Sequence, residues 1–181
     1  SGTISQDTTI SDEWLAAMQA DGYTSQEIAF GEEMMEAMHR AQSMGAESYL
    51  EPKIMFDGGT FDHMYGTSCV DQLVNCESMR PLPVNTAGGL RVVKEKGEMI
   101  HDGIQLPKGW VNPHMRSTLL SETKLAEELH WQFATVGTKK LVVIPGERPF
   151  FAEYEGGVHY WPKHGRFRNE VSFEELNEFE N

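Results

Sequence analysis

The chain has 181 residues, of which 39% are hydrophobic and 24% charged, as is ordinary for a globular protein. Its 28 acidic and 15 basic residues give a net charge of −13, and so acidic a surface repels the phosphate backbone of nucleic acids. The longest apolar run is LVVI at 141–144, far short of the ~20 residues needed to cross a bilayer. We therefore expect no nucleic-acid partner and no membrane association.

The N-terminal part of the chain predicts two helices. Ser11 is a good N-cap for DEWLAAMQA, and Thr24 with Glu27 three residues later has the pattern of a capping box for a second helix. In that second helix, apolar residues such as Phe30 and Met34 recur at three- and four-residue spacing. This periodicity predicts a stripe that faces the core.

A candidate nucleophile follows the next segment. Residues 45–66 contain Gly, Pro and Asp, and predict a loop with one short strand at 54–56. Ser68 and Asp71 then have capping-box spacing, which places Cys69 in the first turn of a predicted helix. Unpaired backbone N–H groups in a first turn favour negative charge, so a thiol there ionises readily and attacks well.

The second half of the chain predicts mainly strands. Prolines and glycines in RPLPVNTAGGL favour an extended, turning path, GLRVVKE predicts a strand, and residues 101–115 are interpreted as mostly loop. A helix is expected from Ser121 to Phe133, followed by strands in KKLVVIPG, PFFAEY, GVHYW and RFRN. Helices first and strands last indicate an α+β fold, with N-terminal helices packed on a C-terminal antiparallel sheet.

The length favours a single domain over residues 1–181. Within it, we distinguish a helical N-terminal part at 11–44 from a catalytic core at 65–170. No internal repeat is visible in the sequence.

His159 is the candidate base, because it lies inside a predicted strand that a tight turn follows. If the hairpin loop is 162–166, then His159 faces Asn169 on one side of the sheet. With a four-residue loop, His159 would lie opposite Arg168 instead. An imidazole held by a carboxamide is the arrangement that a cysteine nucleophile needs.

The thiol after a Gly/Ser/Thr turn, the PLPxNTAGGL stretch and the late strand histidine together resemble papain-like cysteine hydrolases. The likeness covers residues 65–90 and 140–170 and is greatest to bacterial amidases and endopeptidases that cut cell-wall peptides. It implies a papain-like fold and an amide hydrolase, whether amidase, endopeptidase or glutamine deamidase, with Cys69 as nucleophile, His159 as base and Asn169 as orienter. It also implies a peptide or protein substrate, a secreted or injected effector, and an inhibitor protein as partner.

Two other functions compete with hydrolysis. The order of GGLRVVKE, RSTLLSETK and FAEYEGG resembles arginine-type mono-ADP-ribosyltransferases, which implies NAD binding with Arg91, Ser117 and Glu155 in the site. A third hypothesis is that the chain is a non-catalytic protein-binding domain. For the favoured hydrolase we expect neither a cofactor nor a metal, because His, Cys and acidic residues lack zinc-like spacing.

Overall fold

The computed structural model of the chain describes residues 12–44, 51–60, 62–86 and 89–180. It contains helices α1 (Asp12–Ala20), α2 (Ser25–Met44), α3 (Glu122–Leu129) and α4 (Phe173–Glu180). Its strands are β1 (Ile54–Asp57), β2 (Met64–Tyr65), β3 (Leu73–Thr86), β4 (Gly89–His101), β5 (Ile104–Val111), β6 (Thr118–Ser121), β7 (Gln132–Val136), β8 (Lys139–Val143), β9 (Phe150–Phe151), β10 (Glu153–Glu155) and β11 (Val158–Tyr160). Short 3₁₀ segments lie at Thr67–Gln72 and Arg166–Asn169.

The capping box at the start of α2 is confirmed. The Thr24 backbone N–H donates to Glu27 Oε1 over 3.0 Å, and the Glu27 N–H donates to Thr24 Oγ1 over 3.1 Å. These two bonds satisfy donors that a helix start leaves open. Met34 is 1% exposed, as the apolar stripe predicts. The predicted cap Ser11 lies outside the described residues.

Eight strands form one mixed sheet, in the order β10-β11-β1-β6-β2-β5-β4-β3. Most neighbours are antiparallel, but β6 pairs parallel with β1, and β5 pairs parallel with β2. A second sheet has the order β7-β8-β9. Helices with a large sheet confirm the α+β class, whereas the sheet, predicted as antiparallel, is mixed.

Each face of the large sheet carries a cluster of buried hydrophobic residues. Side chains alternate between faces along a strand, so the neighbours Met55 and Phe56 belong to different core clusters. The Met55 cluster includes Met18 and Met34, from α1 and α2. The Phe56 cluster joins the other face to α3 and the small sheet. None of the helices in the described ranges combines the length and the apolar character that spanning a bilayer requires.

Several predicted segments differ from the structure, and RFRN, predicted as a strand, forms the 3₁₀ segment Arg166–Asn169. The helix expected after Ser68 is a single 3₁₀ segment, and the chain enters β3 at Leu73. Long-range bonds explain the difference, because Ser68 Oγ donates to the Arg116 carbonyl over 2.6 Å instead of capping a helix. The segment 101–115, interpreted as loop, contains β5.

Candidate functional site

Cys69 lies in the core. Its side chain is 2% exposed within the cluster of Phe56, and Thr118 Oγ1 donates to Cys69 Sγ over 3.3 Å. The Cys69 N–H donates to the Gly66 carbonyl, so it is already used by the 3₁₀ turn. A substrate carbonyl could reach this sulfur only if the surrounding core opened.

Alkylation of the folded protein is expected to modify Cys76 before Cys69. Cys76 is exposed, although partial burial and nearby Glu95 raise the pKa of its thiol and slow its reaction at neutral pH. Limiting iodoacetamide followed by peptide mass spectrometry measures the order. Faster adduct formation at Cys69 would show that the sulfur is accessible in solution and would revive it as a nucleophile.

His159 and Asn169 bind different partners. β11 pairs with β10 and β1, which places His159 opposite Tyr154 and Phe56, so the predicted hairpin with residues 167 onward is wrong. His159 Nε2 lies 2.9 Å from the Thr138 carbonyl oxygen. Asn169 sits in a 3₁₀ segment and donates to the Phe151 carbonyl over 3.1 Å.

Among the described residues, no hydrogen bond joins Cys69, His159 and Asn169 to one another. The assignment of these three as nucleophile, base and orienter therefore stays a prediction that the observed bonds do not support.

The three residues of the transferase hypothesis, Arg91, Ser117 and Glu155, do not lie together. Ser117 Oγ accepts from the Lys53 N–H over 3.1 Å, and Glu155 lies 3.2 Å from Lys53 Nζ, so these two are near each other. Arg91 is in β4, six strand positions from β10 in the sheet order, or about 29 Å along the sheet. The side chain of Arg91 lies outside the described part of the chain.

A different site forms where the chain leaves β1. Strand β6 lies between β1 and β2, so the connection from Asp57 to Met64 must cross the end of β6. β1 and β6 run parallel and end together, with Asp57 paired to Ser121. In open sheets, the space beyond the carboxyl ends of parallel strands is a recurrent ligand position. We call residues 57–60 the Asp57 loop.

The Asp57 loop is fixed by short hydrogen bonds. Asp57 Oδ1 accepts from the Gly59 N–H over 2.8 Å, so a backbone donor orients the carboxyl group. At the other end, Ser121 Oγ donates to the Thr60 carbonyl over 2.7 Å. The Ser121 N–H donates to His63 Nδ1 over 3.0 Å. The loop is therefore tied to the strand that it crosses.

The polar groups beneath the loop are buried. Asp62 is 5% exposed, and its Oδ1 accepts from the His63 N–H and from Lys124 Nζ, both over 2.7 Å. His63 is fully buried, and burial lowers the pKa of its imidazole to about 4, with Asp62 opposing and Lys124 reinforcing that shift. The His63 ring stacks on Tyr65, whose phenol pKa burial raises.

Two clefts meet at Gly58. The first, of about 610 Å³, is polar and is lined by Glu33, Gly58, Gly59, Thr60, Thr123, Lys124, Glu127 and Glu128. The second, of about 860 Å³, is largely apolar, and its lining includes Gly58, Trp131, Phe133, Val136, Leu141 and Phe179. Gly58 of the Asp57 loop thus lies between an acidic and an apolar surface. Across the described ranges, no group of three or more His, Cys, Asp or Glu residues has the arrangement of a metal site.

Sequence reasoning placed β1 correctly but missed Asp57. The available signal was FDGGT, in which an acid ends a strand and two glycines follow. FDGGT indicates a candidate site only once β6, some 60 residues later in the chain, is known to pair beside β1.

Comparison with models of known protein families gave no match, and neither did comparison with curated proteins.

Proposed function

We propose that the chain is an amide hydrolase of the aspartic-protease type, in which Asp57 activates a water molecule. The reaction class is the one predicted from the sequence, but the attacking group is water instead of the Cys69 thiolate. The observation that carries the proposal is the anchored Asp57 loop, in which a backbone N–H orients the Asp57 carboxyl group one residue before Gly58, where two clefts meet.

The chemistry needs two carboxyl groups that share one proton. The ionised one takes a proton from water as the water oxygen bonds to the substrate carbonyl carbon. The protonated one donates to that carbonyl oxygen. As the tetrahedral intermediate collapses, the C–N bond breaks and the leaving amine takes a proton from the pair. Aspartic proteases use such a dyad, in which repulsion between close carboxylates keeps one proton bound.

The second carboxyl group is proposed to be Asp57 of a second copy of the chain. Of the other acids near the loop, Asp62 already accepts from Lys124 and from the His63 backbone, and Glu33, Glu127 and Glu128 line the polar cleft, where we propose that the substrate binds. Two-fold symmetry would place two Asp57 loops face to face at the axis, because a symmetric dimer brings the same patch of each copy together.

The apolar cleft beside the loop is the surface proposed for that second copy. It begins at Gly58 and continues over Trp131, Phe133 and Val136. β7 is an edge strand of its sheet, and Val136 is 60% exposed. An edge strand has one side open to pairing with another chain, so a dimer would bury both the cleft and the edge.

The proposed substrate is a neutral or basic peptide or protein segment. Glu33, Glu127 and Glu128 border the polar cleft, and the chain carries a net charge of −13. A polyanion would be repelled from this surface, which supports the exclusion of nucleic acid. An inhibitor protein that covers the loop is proposed on the same grounds.

The cysteine version of the hydrolase remains the competing proposal, as does the papain-like arrangement of helices and sheet. Neither gains support from the burial of Cys69 or from the mixed sheet.

The test is to incubate the protein with a mixed peptide library from pH 4 to 7 and over a range of protein concentration. Mass spectrometry then detects the cleaved peptides. We expect a maximum on the acidic side and a specific activity that rises as dimers assemble. Hydroxylamine added at pH 6 to 7 should yield no hydroxamate, because no acyl-enzyme forms. Hydroxamate formation would support the cysteine mechanism, and absence of cleavage in every peptide would support the binding domain.

A further inference from the structure

His63 is a buried titratable residue that the hydrolytic step does not use. Its side chain is fully buried, and its Nδ1 accepts from the Ser121 N–H over 3.0 Å. Accepting at Nδ1 requires the tautomer that carries its proton on Nε2. Nε2 has no hydrogen-bond partner among the described residues.

We propose that His63 is a positioning residue for the Asp57 loop, an inference that rests on the proposed function. His63 fixes Ser121 through its N–H, and the Ser121 hydroxyl in turn holds the Thr60 carbonyl over 2.7 Å. Thr60 ends the loop that begins with the Asp57 carboxyl group. His63 therefore acts through Ser121 on the path of the loop and does not touch the substrate.

Protonation of His63 would release this anchor. An imidazolium donates at both nitrogens, so Nδ1 could no longer accept from Ser121. The charged groups that face the ring are Asp62 of the same connection and Lys124 of α3, and the phenol of Tyr65 in β2 stacks on it. Asp62 would favour the imidazolium and Lys124 would oppose it. The Ser121 N–H thus has its acceptor only while His63 is neutral.

The test compares His63→Asn with His63→Leu. The Asn side-chain oxygen can occupy the place of Nδ1 and accept from Ser121, whereas Leu cannot. We expect His63→Leu to lower kcat about 10- to 100-fold with little change in KM, because the loop is misplaced while binding surfaces persist. We expect His63→Asn to stay within about threefold of the wild-type kcat. Nitrogen NMR of the wild type should show the Nε2–H tautomer.

Amide exchange of Ser121 provides a readout that does not need activity. Protection should be lost in His63→Leu and kept in His63→Asn, and circular dichroism confirms that each variant folds. If His63→Leu does not fold, the decisive measurements are the wild-type tautomer and the protection of Ser121 in His63→Asn. Two results would overturn the positioning role while leaving the proposed function intact. One is a His63→Leu variant that keeps both the wild-type kcat and the protection of the Ser121 amide. The other is a wild-type His63 that carries its proton on Nδ1. If the wild type cleaves no peptide, the exchange result still decides whether His63 holds Ser121.

Discussion

Replacement of Asp57 by Asn is expected to lower kcat/KM by about 10²- to 10⁴-fold, the usual contribution of a general acid–base group. Asn retains an oxygen that can accept from the Gly59 N–H, so the loop should keep its shape. The amide cannot take a proton from water, so the chemical step fails while the fold remains. Peptide cleavage rates, with thermal unfolding as a check on the fold, measure the effect.

The matched control is Cys69→Ala. This change removes a buried side chain of the core and is expected to cost on the order of 1 kcal/mol in unfolding free energy. Activity should persist, because the sulfur is outside the proposed reaction. A variant pair with the opposite pattern, in which Cys69→Ala is inactive and Asp57→Asn is active, would assign the reaction to the thiol and reject the carboxyl proposal.

Mixing wild type with excess Asp57→Asn tests whether two copies build one site. If the carboxyl groups come from two chains, mixed dimers hold a single functional Asp57 and activity should fall well below dilution alone. Activity that simply tracks the amount of wild type would show that each chain carries a complete site.

Local patterns in the sequence predicted those elements whose bonds are local. Thr24 and Glu27 bond each other within one turn, and this capping box is confirmed. Ser68 had a similar pattern, but its hydroxyl bonds the Arg116 carbonyl, 48 residues away. A hydroxyl side chain therefore caps a helix at Thr24, whereas at Ser68 it holds a segment that leads into a strand. The difference lies in a partner that no local pattern reveals.

Distant packing also explains why β5 and the candidate site were missed. Pro107 and Gly109 made this stretch look like loop, yet a side chain at Gly109 would come within 2.6 Å of His63 Cβ. Glycine there permits β5 to lie beside the chain that enters β2. The Asp57 loop likewise depends on Ser121, which the sequence predicted only as the start of a helix. Ser121 does cap α3 by accepting from the Lys124 N–H, and it also anchors the loop.

Lowering the pH from 6.5 to 4 is expected to reduce the free energy of unfolding by about 3 kcal/mol through His63 alone. Burial lowers the pKa of His63 from 6.5 to about 4 in the folded chain. Between these two pKa values, His63 is protonated in the unfolded chain and neutral in the folded chain, so the free energy of unfolding falls as the pH falls. The loss begins as the pH falls through 6.5 and levels off below pH 4. Urea unfolding at half-unit pH steps measures the slope, about 1.4 kcal/mol per pH unit inside this window.

His63→Asn isolates that contribution, because Asn does not titrate. Burial also lowers the pKa of His101, against the opposing effect of Asp102, so part of the slope with the same sign should persist in the variant. The lowered pKa of Glu27, due chiefly to the Thr24 backbone N–H, adds a loss that begins only below pH 4.5. The difference between wild type and variant should therefore open below pH 6.5. If the unfolding free energies of wild type and variant instead change in parallel with pH, His63 accepts a proton in the folded chain. The bond from the Ser121 N–H would then not require a neutral imidazole.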